Sequence, residues 1–193
     1  MSDSRDAERD GGTGAAGPVV RWARVPAPVG PLLVAATSAG LRRIAFENTR
    51  RPIAPGADWV EDPAALAGAV EQLRAWFAGE LRDFELALDA PGTDFQRDVW
   101  AAVAAIPYGA TATYADVARA TGRPGASRAA GAANGANPLP IVVPCHRVGG
   151  ADGSLTGFSG GLETKRRLLA HEAEHAGPGT RRQRFAADQL ALF

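Results

Sequence analysis

A single cysteine, Cys145, is all that 193 residues offer for covalent bracing, so the chain can form neither an internal disulfide nor a cysteine-based zinc cluster. Its fold must rest on apolar burial, and at 46% hydrophobic this length can bury one good core or two small ones. Such cysteine usage fits a reducing compartment; a cytoplasmic location is expected, and neither a metal nor a cofactor is. Residues 1–17, rich in Gly, Asp, Ser and Ala, lack a periodic apolar position and read as a disordered leader rather than a signal peptide or anchor. No later run is long and apolar enough to span a bilayer. The net charge of zero divides as −3 over residues 1–90, +1 over 91–175 and +2 over 176–193. Any attraction to a phosphate backbone must therefore come from a local patch in the second half.

Short apolar runs at 19–24, 32–37 and 41–46 are separated by Pro28-Val29-Gly30-Pro31 and Ser38-Ala39-Gly40, the punctuation of an antiparallel meander. Asp62-Pro63 reads as a helix N-cap with proline in the first turn, followed by Leu66, Val70, Leu73 and Phe77 on one face. Phe84, Leu86 and Leu88 alternate as a closing strand, which completes an α+β unit over 18–90. Thr93-Asp94-Phe95-Gln96 is a capping box that opens a second unit, 91–175, and Phe95, Val99, Trp100 and Val103 stripe its first helix up to Pro107-Tyr108-Gly109. A short helix from Thr113-Tyr114 to Ala120, a break at Thr121-Gly122-Arg123-Pro124 and a helix over 127–134 make a helix-turn-helix. The second of these helices is almost bare of side chains, which suits either close backbone approach to a partner or a tight helix interface. A strand at Pro140-Ile141-Val142-Val143, a Gly149-Gly150 turn, a loop to Phe158-Ser159-Gly160-Gly161 and a helix over 162–174 follow, and 176–193 reads as a flexible tail.

The strand would present Cys145 at its C-terminal end, a common place for a nucleophile, although a lone cysteine also reads as a small buried hydrophobe. A thiol attacks as its thiolate, so a neighbouring group must take the proton. His146 is adjacent, yet neighbours on an extended segment point to opposite faces, so it would reach the thiol more easily through a water. Glu172 on the last helix is placed to orient that histidine. His171 and His175 compete for the same role but sit on a highly charged helix end and are expected to be solvated. Asn137-Pro138 reads as a turn former whose amide ties the helix-turn-helix to the cysteine segment.

Taken together, residues 93–100, Ile106-Pro107-Tyr108-Gly109, Asn137-Pro138, Pro144-Cys145-His146-Arg147-Val148 and the run from Ser159 to Lys165 resemble the O6-alkylguanine-DNA alkyltransferase family, also called methylated-DNA-protein-cysteine methyltransferases. The resemblance is strong over 92–174 and weaker over 19–90. It implies a ribonuclease-H-like N-terminal domain and a winged-helix-like C-terminal one, acting as a monomer on double-stranded DNA that contains O6-alkylguanine. By resemblance, Cys145 accepts the alkyl group irreversibly, and a histidine-water-glutamate relay maps onto His146 and Glu172, with Asn137 bracing the site. Tyr114 maps onto the tyrosine that favours base rotation, and Arg128 onto the arginine that fills the space left by the flipped base. Ala129, Gly131 and Ala132 let the helix enter the minor groove, while Val148, Phe158 and Ser159 line the substrate pocket. O4-alkylthymine is a second candidate substrate. Phe158 departs from the tyrosine common in the family, so a hydroxyl near the pocket is lost while a stacking surface survives. The rivals are a cysteine hydrolase using Cys145 and His146, and a non-catalytic sensor of alkylated DNA.

The chain closes on Gln189-Leu190-Ala191-Leu192-Phe193, which looks like the peptide by which bacterial repair proteins dock on the DNA sliding clamp. Leu190, Leu192 and Phe193 would be apolar anchors and Gln189 a polar contact. The alternative is a tail helix folded back on the domain through Phe185, Leu190 and Leu192.

Overall fold

The structure, a computed structural model, describes residues 17–177. The meander forms as expected: β1 (Arg21–Val25), β2 (Leu32–Thr37) and β3 (Gly40–Phe46) pair antiparallel in the order β3-β2-β1. A two-residue strand, β4 (Val60–Glu61), adds to the free edge of β1 in parallel. The middle strand is buried on both faces, and its period of two divides it. Leu32 and Val34 enter the main core, whereas Leu33 and Ala35 meet Val20, Trp22, Ala45 and Trp59 in a smaller cluster on the other side. Gly40 is required where the β2–β3 turn meets residue 87: its φ is +141° and a Cβ there would stand 2.4 Å from the Ala87 carbonyl oxygen.

A single 3-10 turn (Ala64–Leu66) leads into α1 (Ala67–Phe77), whose buried positions are Leu73 and Trp76. The expected strand at 84–88 does not form. Only Leu41 and Leu88 make an isolated bridge, through Leu41 N–H to the Ala87 carbonyl and Asp89 N–H to the Leu41 carbonyl, while Phe84 and Leu86 pack sideways against the core.

The second half opens on α2 (Asp94–Ala104), where Thr93 and Gln96 form the capping box reciprocally. A two-residue β5 (Ala112–Thr113) runs into α3 (Tyr114–Ala120), itself opened by a capping box between Thr113 and Asp116. Helix α4 (Ser127–Gly135) packs on α2 and α3 through Ala130 and Ala133, residues small enough for close approach. Beyond it, β6 (Val148–Gly149) pairs in parallel with β5, and α5 (Gly161–His175) ends the described chain. One apolar cluster runs through both halves, from Ala23 and Leu32 to Leu139 and Leu168. The halves are also stitched by Ile44 N–H to the Pro138 carbonyl at 2.8 Å and by Arg82 to the His175 carbonyl at 2.9 Å. No helix among the described residues is long and apolar enough to cross a membrane.

Candidate active site

Residues 138–143 form a turn, not the strand expected from their β-branched composition. Prolines at 138, 140 and 144 carry no N–H to give to a ladder. The backbone closes instead by Val143 N–H to the Leu139 carbonyl at 2.8 Å, and Ile141 is held at φ +78°. That conformation is unfavourable for a β-branched residue, by about 1–3 kcal/mol. Asn137 supplies the compensation. Its Nδ2 donates to the Val143 carbonyl at 2.8 Å and its Oδ1 accepts from Leu139 N–H at 2.9 Å, so one buried amide spans the turn.

Cys145, His146 and Arg147 then form a 3-10 turn, locked by Cys145 N–H to the Val143 carbonyl at 2.7 Å and Arg147 N–H to the Pro144 carbonyl at 2.8 Å. Successive side chains of a 3-10 turn diverge by about 120°, so the strand alternation used to separate Cys145 from His146 does not apply. All three side chains are buried. His146 Nε2 lies 2.7 Å from Glu172 Oε1. Glu172 also receives Arg147 Nε at 3.0 Å on both oxygens, Arg147 Nη2 at 2.9 Å and Gly109 N–H at 3.0 Å. Arg147 Nη1 reaches the Ile106 carbonyl, and its guanidinium lies over the Tyr108 ring.

Burial alone would raise the Glu172 carboxyl, but the His146 hydrogen bond and the Arg147 charge outweigh it and hold the group well below the usual carboxylate range. Burial lowers the His146 imidazole, and its contact with Glu172 only partly restores it. The ring is therefore neutral near pH 7, with its proton on Nε2 facing the carboxylate and a lone pair on Nδ1, a buried atom with no hydrogen-bond partner among the described residues. Arg147, not His146, supplies the positive charge opposite Glu172. Burial pushes the Cys145 thiol up to about 11, against the Asn137 amide and the Lys165 ammonium, which favour the thiolate. A thiol so placed needs a base to lose its proton.

Lys165 is fully buried and donates to the Val148 carbonyl at 2.6 Å and the Thr156 carbonyl at 2.9 Å, joining β6 to the loop before α5. Asn134 of α4 donates to the Cys145 carbonyl at 3.4 Å. Sequence reasoning assigned no role to Arg147, Lys165 or Asn134. A signal existed for Lys165: it falls with Leu168 and Glu172 on one stripe of α5, the stripe that faces the core.

The other expected site residues lie around this centre. The Tyr114 hydroxyl is 2.8 Å from Thr156 Oγ1, and the Tyr114 ring faces Gly131. Arg128, Ala129 and Ala132 are exposed on α4 and line an open groove with Gly125, Ala126 and Ser127. Phe158 is half-buried against Phe46, with ring centroids 5.4 Å apart, and Ser159 is exposed beside it. A cavity of about 530 Å³ is lined by His146, Arg147 and Val148 together with Thr113 and Leu155. His171 and His175 are part-buried and bonded to backbone, not freely solvated as expected. His171 Nε2 donates to the Trp76 carbonyl at 2.8 Å and His175 Nδ1 lies 2.8 Å from the His171 carbonyl. Residues 189–193 lie outside the described residues.

Fold and site together define a protein that sets a buried cysteine nucleophile behind a helix-turn-helix. A family model for the DNA binding domain of 6-O-methylguanine DNA methyltransferase matches residues 94–174, and one for its ribonuclease-like domain matches residues 20–90. A methylated-DNA–protein-cysteine methyltransferase of Mycolicibacterium paratuberculosis is 49% identical over 159 residues, covering 82% of this chain and 95% of that protein. One from Methanosarcina barkeri is 45% identical over 148 residues, covering 77% and 94%. The crystal structure of the Mycobacterium tuberculosis O6-methylguanine methyltransferase superposes with a TM-score of 0.77 at 46% identity, covering 83% of this chain and 96% of that one. A Mycobacterium tuberculosis OGT solved in complex with DNA gives 0.73 at 43% identity, covering 89% and 98%. The chain belongs to the 6-O-methylguanine DNA methyltransferase family.

Proposed function

We propose that this protein repairs DNA directly, by moving the alkyl group from O6 of an alkylated guanine to its own Cys145. The observation that carries the assignment is a buried Cys145 next to a buried His146 whose Nε2 is fixed by Glu172, in a chain of this family. His146 Nδ1, through a water, takes the Cys145 proton, and the thiolate attacks the alkyl carbon in line with the C–O6 bond. The S–C bond forms as the bond from the alkyl carbon to O6 breaks, its electron pair stays on O6, and the guanine anion so released takes a proton from solvent at N1. The thioether is stable, so each molecule acts once.

O6 of a paired guanine is inaccessible within the stack, and extrusion costs a few kcal/mol. The exposed face of α4, bare except for Arg128, is suited to the minor groove, with Arg128 filling the vacated space and Tyr114 pressing on the target phosphate. Val148, Phe158 and Ser159 would line the base pocket; O4-alkylthymine would have to fit the same contacts. The protein acts as a monomer in the cytoplasm, and Gln189, Leu190, Leu192 and Phe193 recruit it to the sliding clamp. Equal clamp affinity with and without residues 189–193 would refute that recruitment.

Intact mass after incubation with a duplex carrying one O6-methylguanine tests the central claim. A single gain of about 14 Da on wild type and none on Cys145→Ala is expected for covalent capture. Binding without a gain would favour a sensor, and repeated turnover a hydrolase.

A further inference from the structure

Trp76, near the end of α1, is fully buried, and although it belongs to the N-terminal half its ring meets the catalytic centre of the other half. It stands edge-on to His146, with centroids 6.2 Å apart and planes at 74°, and edge-on to Tyr108 at 6.1 Å. The His171 ring lies 4.7 Å away, and His171 Nε2 donates to the Trp76 carbonyl at 2.8 Å. His171 immediately precedes Glu172 on α5, so this hydrogen bond fixes the turn of helix that aims Glu172 at His146. The register of α5 against the end of α1 is set further by Gly79, where any Cβ would stand 2.0 Å from the His175 ring. The Trp76 ring therefore packs edge-on to the His146 imidazole and against the ring of His171, the residue next to Glu172.

We propose that Trp76 is a positioning residue for alkyl transfer, clamping the His146 ring and, through His171, the α5 turn that bears Glu172, so that the imidazole stays oriented and shielded from bulk solvent. The inference rests on His146 being the proton acceptor for Cys145. The groups whose charges act on His146 are Glu172 and Lys165 from α5 and Arg147 from its own turn, with Cys145 adjacent in that turn and Tyr108 edge-on to the same Trp76 ring. Helix α1 contributes only the uncharged indole. Removing the indole admits water to the imidazole and weakens the burial that keeps it below its ordinary value of 6.5. The imidazole then holds its proton to higher pH, and the fraction able to accept one from Cys145 falls first on the acid side.

The test is the single-turnover rate of methyl transfer from an O6-methylguanine duplex between pH 5.5 and 8.5, with the mass gain as end point. Trp76→Leu is expected to be slowed roughly tenfold at pH 6 and within about threefold at pH 8.5, an acid limb displaced upward. Trp76→Phe, which keeps an aromatic face on His146, should stay close to wild type across the range. Trp76→Met, adaptable in volume but not aromatic, is the second variant if Trp76→Leu fails to fold, and the same displacement is expected of it. A profile that superimposes on wild type after scaling, whatever the melting temperature, would reduce Trp76 to a packing residue and overturn the proposal. Absence of methyl transfer by wild type would instead refute the role of Cys145.

Discussion

Glu172 serves two side-chain donors at once, besides the Gly109 N–H, and the balance between them sets the chemistry of the centre. The fork of Arg147 reaches both carboxylate oxygens while His146 shares Oε1, so the carboxylate stays ionised in full burial and the imidazole keeps its proton on Nε2. Removing Arg147 would leave a buried carboxylate with one imidazole and one backbone N–H for company. Arg147→Met should therefore destabilise the fold by roughly 3–5 kcal/mol, a melting temperature lower by about 6–20 °C. Arg147→Lys should recover only part of this, because an ammonium cannot form the bidentate pair. Thermal melts of the two variants decide the matter: a loss under about 1 kcal/mol in Arg147→Met would mean the ion pair contributes nothing net. At this scale the sequence was legible where a side chain advertises chemistry, as Cys145, His146 and Asn137 do. It was mute where a charge lies hidden. Nothing local gives Arg147 a role until Glu172 is seen against it, or Trp76 one until His146 is.

Among the elements, legibility followed the locality of the forces that make them. Capping boxes are settled within four residues, so the starts of α2 and α3 can be read from Thr93 with Gln96 and Thr113 with Asp116. The meander was legible for a similar reason, since β1, β2 and β3 are joined by turns whose residues are in view. The failures came where composition and hydrogen-bonding capacity disagree. Ile141, Val142 and Val143 favour a strand, but three flanking prolines remove donors on both sides, and the long-range partner that finishes the turn, Ile44 of β3, is nearly a hundred residues away. Phe84, Leu86 and Leu88 have the alternation of a strand, yet the edge strand β3 meets them only through Leu41, where one bridge forms, and gives its Ile44 N–H to Pro138 instead. His171 and His175 lie on a charged helix end, and nothing local shows that α1 will cover them.

For the whole molecule, the continuous core makes the two halves one folding unit, with the Glu172 carboxylate inside it. Leu168 and Val143 share a cluster with Leu32 and Trp76, and Glu172 sits one residue from the α1–α5 contact. Denaturation should therefore be a single transition, with tryptophan fluorescence and far-ultraviolet circular dichroism superimposing in urea. Its pH dependence follows from the sign of the Glu172 shift. The folded carboxyl titrates below its ordinary 4.5, so the unfolded chain binds a proton first on acidification. The stability this group contributes is complete above the unfolded value and is lost as pH falls through the folded one; the linkage is on the order of 3 kcal/mol. Glu172→Gln, which keeps the shape but cannot ionise, should be markedly less stable than wild type at pH 7. Asp89 and Asp116 are also held low, by hydrogen bonds to Thr37 and Thr113 and by nearby arginines, against the opposing effect of burial. They acidify identically in both proteins and cancel in the comparison. The difference in urea midpoint between wild type and Glu172→Gln should shrink as pH is lowered from 7 to 3, most steeply below about 4.5. A difference that stays constant over that range would show that the Glu172 carboxylate is no more stable in the fold than in the open chain, and the electrostatic account of the centre would fall with it.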